Sequence, residues 1–208
     1  MKTRMIYLFL IILAIASFAS CQNNGLSDLR QIQGFPNKVG DSWTYAYTDT
    51  AYGHREGGYS LITDTLKLSI VESKNGVTIW QTIWPKQFRQ PSYRNDSALV
   101  RISGDSVKVS YLEGYAGFLN SLYIFPLETG NSWSIYADSS HVASKGSLSV
   151  PAGSFDNVYR ISTGGGGVNA FFAQDAWFKP GVGIIQVTHY EFNNPGTYTL
   201  KLIDYHLK

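Results

Sequence analysis

From residue 35 to the C-terminus, turn-forming residues recur so often that no long helix fits between them. The tripeptide KNG (74–76) separates TDTLKLSIV from VTIWQTIW, and SGD (103–105) separates ALVRIS from SVKVSYL. Asn-Gly is a strong hairpin signal because both residues accept a positive φ angle. No stretch keeps a 3.6-residue apolar period over three turns, and short connections favour antiparallel pairing. We therefore predict an all-β domain of antiparallel strands, arranged as a single curled sheet, a half-barrel or a sandwich.

The C-terminal third shows the same alternation. Pro180-Gly181 links FFAQDAWF to VGIIQVTHY, and the segment 193–196 (NNPG) links that run to TYTLKLIDYHL. If 193–196 is a four-residue loop, His189 pairs with Leu200 in the hairpin. The run Gly164–Gly167 has no Lys or Ser/Thr and no helix after it, so a phosphate loop is excluded and a flexible hairpin tip is predicted.

One motif occurs twice, ninety residues apart. FPNKVGDSWTYAY begins at residue 35 and FPLETGNSWSIYA begins at residue 125, with Phe, Pro, Gly, Ser and Trp at matching positions. In each copy the glycine permits a tight turn and the tryptophan anchors the following strand. Two interpretations are open: a duplicated half-domain (35–124 and 125–208), or one strand-initiating device used twice.

The N-terminus has the pattern of a secretory signal. Lys2 and Arg4 precede the apolar run MIYLFLIILAIASF (5–18), and small residues follow. A helix of 14 residues rises about 21 Å, short of the roughly 30 Å hydrocarbon core of a bilayer. Phe18-Ala19-Ser20-Cys21 resembles the lipobox of bacterial lipoproteins, in which the cysteine is lipidated and becomes the new N-terminus. This resemblance implies three segments: a signal peptide (1–20), a lipidated Cys21 with a polar tether (21–34), and one β domain (35–208).

The charge balance excludes one large class of partners. The chain has 17 basic and 15 acidic residues. Because Lys2 and Arg4 belong to the predicted signal, the remainder carries equal numbers of both. It has no charge run, which argues against nucleic acid as a partner. No cofactor is predicted.

Metal and catalytic sites are poorly supported. His54, His141, His189 and His206 form no cluster with ligand spacing. Gly40-Asp41-Ser42 resembles the nucleophile block of the Gly-Asp-Ser hydrolases, but the serine begins a strand and the C-terminal Asp204-Tyr205-His206 has the wrong spacing. We predict neither a catalytic residue nor a metal ligand, and a hydrolase built on Ser42 is the enzymatic alternative.

Two tryptophans are the candidate ligand-binding residues. Trp80 and Trp84 share one face of the VTIWQTIW strand, whereas Val77, Ile79 and Ile83 share the other. The simpler interpretation is a strand buried between two layers. The functional interpretations are an apolar cavity behind a curved sheet, or an aromatic platform for sugar rings.

Three blocks together resemble a family of uncharacterised bacterial lipoproteins: FPxxxGxSWxY, VPAGSF (150–155) and WFKPGVGIIQ (177–186). The resemblance implies an envelope lipoprotein anchored by palmitate and other acyl chains at Cys21. Gln22, which is not Asp, implies the outer membrane. It supplies no catalytic residue. We therefore predict a membrane-anchored, non-enzymatic binding or interaction domain, with a carrier of a hydrophobic ligand and a glycan-binding module as alternatives.

Overall fold

The structure, a computed structural model, describes residues 32–52, 59–86, 96–111, 122–135, 138–167, 170–191 and 196–208. These residues belong to the compact unit Gln31–Lys208. They form a 3-10 helix, Ile32–Gly34, and twelve strands. The strands are β1 Ser42–Tyr52, β2 Tyr59–Lys74, β3 Val77–Ile83, β4 Ser97–Ser103, β5 Ser106–Tyr111, β6 Leu122–Ile124, β7 Ser132–Ile135, β8 Asp138–Val150, β9 Gly153–Gly167, β10 Ala170–Lys179, β11 Gly183–Glu191 and β12 Gly196–His206.

All twelve strands belong to one antiparallel sheet with the order β6-β5-β4-β3-β2-β1-β12-β11-β10-β9-β8-β7. Each half of the chain is an up-and-down run of six strands, and the two runs join where β1 pairs with β12. The sheet edges β6 and β7 meet, because the Trp133 indole N–H donates to the Leu122 carbonyl oxygen at 2.6 Å. The sheet is therefore a nearly closed, barrel-like layer. This confirms the predicted all-β class and identifies the single curled sheet among the predicted arrangements.

Strand β1 shows how the sequence forms the core. In SWTYAYTDT the large residues Trp43, Tyr45 and Tyr47 alternate with small ones, and all three are buried inside the barrel. Successive side chains of a strand point to opposite faces, so this alternation gives one inner and one outer face. Burial of each large apolar side chain contributes about 1.5–3 kcal/mol, which makes the inner face the main source of stability.

Short turns gather at one end of the barrel. Asn75 and Gly76 have φ angles of 52° and 75°, which confirms the predicted Asn-Gly hairpin between β2 and β3. The β4–β5, β8–β9 and β10–β11 turns lie at this same end, as do segments 32–41 and 125–131. We call it the turn end. The opposite end is where β1, β9 and β11 finish and where β10 and β12 begin.

Two details of the C-terminal third differ from the sequence prediction. Gly164–Gly167 is not a hairpin tip: these glycines complete β9 and pair with β10, from Gly164 opposite Ala173 to Gly167 opposite Ala170. The β11–β12 register is also shifted by two residues, because Gly196 is part of β12 and pairs with Glu191. His189 therefore lies opposite Tyr198, and the prediction that it faces Leu200 is wrong.

The first copy of the repeated motif begins β1 with a specific pair of backbone bonds. Gly40 has a φ angle of 96°. Its N–H donates to the Ile70 carbonyl oxygen at 2.8 Å, and the Ile70 N–H donates to the Asp41 carbonyl oxygen at 2.9 Å. These bonds extend the β1–β2 ladder beyond the strand itself.

The second copy repeats the arrangement on β8. Gly130 has a φ angle of 94° and donates to the Val142 carbonyl oxygen at 2.9 Å, and the Val142 N–H donates back to Asn131 at 2.9 Å. Each six-stranded run thus starts with the same backbone device. Whether the halves arose by duplication stays a prediction.

The predicted signal peptide (1–20) and the lipidated Cys21 lie outside the described residues, as does most of the tether. The last tether residues are described: Ile32 is buried against the core, and its carbonyl oxygen accepts the Phe35 N–H at 2.6 Å. None of the described residues belongs to a helix with the length and hydropathy of a membrane span.

Candidate functional site

A cavity of about 30 Å³ lies inside the barrel. It exceeds the about 10–15 Å³ that one water needs, yet its walls are apolar and offer water almost no hydrogen-bond partner, so an empty or apolar-filled cavity is favoured. Its lining comes from the N-terminal segment and from strands of both halves: Phe35, Trp43, Tyr45, Leu68, Trp80, Val109, Tyr123, Gly183, Ile184, Val187 and Leu200.

Stacked aromatic rings close the cavity toward the turn end. Phe35 stacks on Trp80 and on Phe178, with ring centroids 5.9 Å apart in both pairs. Trp80 stacks in turn on Trp43 at 5.2 Å. Phe125, which matches Phe35 in the repeated motif, meets Phe35 edge-on at 6.3 Å. The two copies of the motif therefore meet in one aromatic plug, and such pairs add about 0.5–1.5 kcal/mol each beyond their burial.

The structure places Trp80 and Trp84 on the inner face, as the alternation predicts, while Ile83 on the other face is 60% exposed. The rings of Trp80 and Trp84 are only 8% and 6% exposed. The Trp80 indole N–H donates to Asn37 Oδ1 at 3.1 Å and to Thr78 Oγ1 at 3.2 Å. An exposed glycan platform built from these two rings is therefore wrong, because a sugar cannot reach faces that are packed in the core. Trp80 instead lines the cavity.

Tyr45 is a lining residue that carries a polar group. Its hydroxyl donates to the Ile184 carbonyl oxygen at 2.9 Å. Burial raises the pKa of Tyr45 well above its usual value, and the neighbouring Tyr123 raises it further. The phenol is therefore a neutral hydrogen-bond donor that closes the cavity wall, and it has no access to acid–base chemistry near neutral pH.

The Gly-Asp-Ser motif has a structural role. The Asp41 side chain is 2% exposed, and its two carboxylate oxygens accept the backbone N–H groups of Lys38 and Lys208, both at 2.9 Å. Asp41 therefore ties the C-terminus to the start of β1. A carboxylate that already accepts two backbone hydrogen bonds has a structural role in the fold.

Ser42 pairs with His206 across β1 and β12, so both residues lie on the outer face. A catalytic pair needs the nucleophile within hydrogen-bond reach of its base. The hydrogen bonds of the described residues do not include one between these side chains. Within the same part of the chain, no group of three or more His, Cys, Asp or Glu side chains is arranged to hold a metal ion.

Several lining residues were missed by sequence reasoning. Phe35 and Tyr45 lie in the repeated motif and the β1 alternation, so the signal for their burial was present. Tyr123 and Ile184 carry no such signal, because they line the cavity only through the closure of the sheet. Cys21, the predicted lipidation site, lies outside the described residues.

The comparisons with known proteins concern the fold. No protein-family model matches the chain, and no curated protein matches it in sequence. Among solved structures, a Bacteroides fragilis protein provisionally described as exported, with a YmcC-like fold, is 12% identical, with a TM-score of 0.49 over 83% of this chain and 98% of the other. A Parabacteroides distasonis protein provisionally described as a lipoprotein is 14% identical, with a TM-score of 0.39 over 83% and 97%.

A Vibrio parahaemolyticus domain, provisionally described as an outer membrane lipoprotein-sorting protein, is more distant. It is 10% identical, with a TM-score of 0.24 over 81% of this chain and 86% of that one.

Proposed function

We propose that this chain is a lipid-anchored lipoprotein of the bacterial envelope whose β domain binds rather than catalyses. The observation that carries the proposal is the lipobox-like Phe18-Ala19-Ser20-Cys21 after a short apolar run. The roles of Asp41 and Tyr45 support the non-enzymatic part, because both polar groups hold backbone atoms of the fold. The outer membrane is the proposed location, because the residue that follows Cys21 is Gln22 and not Asp.

A substitution at the cysteine tests the anchor. Cys21→Ala removes the thiol, so we expect loss of labelled palmitate from the protein and its release from the pelleted membrane fraction. Ser20→Ala is the matched control, because alanine is also a small residue before the cut site, and it keeps both the label and the membrane retention. Unchanged retention and labelling of Cys21→Ala would reject the anchor.

A second function, carriage of a hydrophobic ligand inside the barrel, is favoured by the apolar cavity. Its lining residues Val187 and Leu200 belong to neighbouring strands of one half, and Leu68 and Val109 belong to the other half. The cavity itself accepts only a small part of an acyl chain. Entry of a longer chain therefore requires the lining side chains to move apart.

Lipid extraction from the purified full-length protein tests the carrier function. We expect about one non-covalent apolar molecule per chain in the wild type. Val187→Trp fills the cavity and lowers the recovered amount about tenfold, whereas Thr188→Trp, on the outer face of the same strand, leaves it unchanged. A wild-type protein free of extractable ligand would reject carriage whatever the variants do.

A further inference from the structure

A row of polar side chains crosses six neighbouring strands inside the barrel. Each member is the register partner of the next, and each shares its strand's inward face with buried core residues. The four members on β1, β12, β11 and β10 are less than a tenth exposed. From β1 to β8, the polar row is Asp49, Tyr198, His189, Gln174, Thr163 and Ser140.

An apolar row runs parallel to it, two residues nearer the turn end on every strand. Its members are also register partners of one another, and all are buried. Two residues of a strand span about 7 Å, so the polar and apolar rows are adjacent layers. From β1 to β8, the apolar row is Tyr47, Leu200, Val187, Ala176, Ile161 and Val142. Because Leu200 and Val187 also line the cavity, the cavity lies directly beside the polar row.

Side-chain contacts hold the polar row in place. His189 stacks on Tyr198 with ring centroids 4.7 Å apart, and Phe172 stacks on the other side of His189 at 5.5 Å. The Tyr47 hydroxyl donates to Asp49 Oδ2 at 2.7 Å. The hydroxyls of Ser140 and Thr163 are 2.9 Å apart. The row is therefore a fixed part of the interior.

Carboxyl groups lie in the row and beside it. Asp49 belongs to the polar row. A second carboxyl group, on Asp138, lies on β8 two residues farther from the turn end than Ser140, and a Cβ added to Gly165 would overlap this group. Burial raises the pKa of the Asp138 carboxyl above its usual value. Every lysine and arginine that the structure describes is exposed, except half-buried Lys179, whose ammonium group binds the Asp156 carbonyl oxygen.

We propose that the polar row binds the head of an amphiphile whose chain enters the cavity, and that this head is an uncharged, hydroxyl-bearing group such as the glycerol of a monoacylglycerol. The inference rests on the carrier function proposed above. Asp49, Gln174 and Thr163 offer carboxylate, amide and hydroxyl oxygens to the donors of such a head. The apolar row and the cavity beside it accept its hydrocarbon.

An anionic head is disfavoured at the same place. Asp49 is buried, and two negative charges a few ångströms apart repel more strongly in a buried site than in water. A buried ion also has to lose its hydration, and only a partner of opposite charge offsets that cost. The inward-facing residues that the structure describes supply no lysine or arginine for this purpose. A fatty acid carboxylate or a phosphate therefore meets Asp49 as a like charge.

Photo-crosslinking of the full-length protein in membrane vesicles tests the head-group preference. Two probes with the same diazirine-bearing chain are compared, a monoacylglycerol and a free fatty acid, at about pH 9, where the carboxylic acid is largely ionised. Labelling is counted only on peptides of β1, β11 and β12, which carry both rows. We expect the monoacylglycerol to label these peptides about tenfold more than the fatty acid does.

The outcomes separate this inference from the carrier function. Labelling of these peptides by both probes within threefold, or stronger labelling by the fatty acid, overturns the head-group preference and leaves carriage intact. No labelling by either probe rejects carriage itself.

Two carboxylate-to-amide variants locate the source of the preference. Asp49→Asn removes the inner charge, so the labelling ratio falls toward one as the fatty acid gains access. Asp175→Asn, on the outer face beside Gln174, keeps the wild-type ratio. An unchanged ratio in Asp49→Asn would overturn the role assigned to Asp49.

Discussion

The two ends of the barrel interior are built by different means. At the turn end, aromatic rings pack against one another: Phe35, Trp43, Trp80 and Phe178. The buried Asp41 carboxylate there accepts backbone N–H groups from the segment before β1 and from the C-terminus. Toward the opposite end, the inward-facing residues of six strands change from apolar to polar between one inward-facing position and the next, two residues farther along each strand. The first arrangement is a closed core, and the second is the surface that we propose for the head of an amphiphile.

This difference between the two ends assigns stability to the turn end and the proposed binding to the opposite end. Apolar rings in a packed core stabilise the fold through their burial, and this stability is lost when a ring is replaced by a small side chain. Buried polar groups contribute little net stability when paired and are costly when left alone, so a row of them indicates a purpose other than folding. Stability is therefore expected to be concentrated at the turn end.

The largest expected effect comes from the aromatic plug. Trp43→Ala removes a buried ring that stacks on Trp80 and donates its indole N–H to the Val182 carbonyl oxygen at 2.7 Å. We expect a loss of about 3–5 kcal/mol in the free energy of unfolding, measured by urea denaturation with circular dichroism. Phe172→Ala, beside the polar row, costs less because that ring is only half-buried. An equal or larger loss for Phe172→Ala would contradict the comparison.

The next effect tests the carboxylate at the turn end. Asp41→Ala leaves the Lys38 and Lys208 backbone N–H groups without their charged acceptor, so a loss of about 2–3 kcal/mol is expected in the same assay. Asp41→Asn introduces the residue found at position 131 in the second copy. Because one amide oxygen remains, it loses about half as much. Wild-type stability of Asp41→Ala would show that the C-terminal tie is dispensable.

The stability contributed by Tyr45, a residue of the cavity wall, is expected to depend on pH. Tyr45→Phe removes one hydrogen bond and lowers stability by about 0.5–1.5 kcal/mol near neutral pH. Because the pKa of Tyr45 is raised in the folded state, its contribution is fully present below the unfolded value of about 10 and is lost as pH rises above it. Denaturation at a series of alkaline pH values checks this expectation. The Phe variant should lose less stability above about pH 10 than the wild type, and identical alkaline slopes would be inconsistent with a buried phenol.

The smallest expected effect comes from filling the cavity. Val109→Ile adds one methylene to a residue that lines it, and burial of a CH₂ contributes at most about 0.8 kcal/mol. A rise in Tm of a few degrees or less is expected in the ligand-free protein. A clear fall in Tm would mean that the space is already filled or too rigid to accept the group.

The sequence predicts the local features of this fold well. The Asn75-Gly76 turn, the alternation of Trp43 and Tyr45, and the shared face of Trp80 and Trp84 all follow from residue types and the two-residue period of a strand. The repeated motif indicates two equivalent strand starts, and both have the same backbone bonds. Each of these features is specified by residue types that lie within a few positions of one another in the chain.

What the sequence does not predict depends on non-local pairing. The burial of both tryptophans follows from the curl that brings β6 to β7, and the length of a loop does not fix the His189 register when Gly196 joins the strand. The polar row escapes detection because Asp49 lies 149 residues before its partner Tyr198 in the chain, and only the β1–β12 pairing aligns it with the other members. A row of this kind is visible only when the registers of six strands are known.

The most direct test of the account is native mass spectrometry of the full-length protein released from its own membrane. The account predicts a chain that begins at Cys21, carries covalent acyl groups there, and retains one further amphiphile that dissociates on unfolding. A chain with an unmodified cysteine and no bound molecule in its folded state would contradict both the anchor and the carrier.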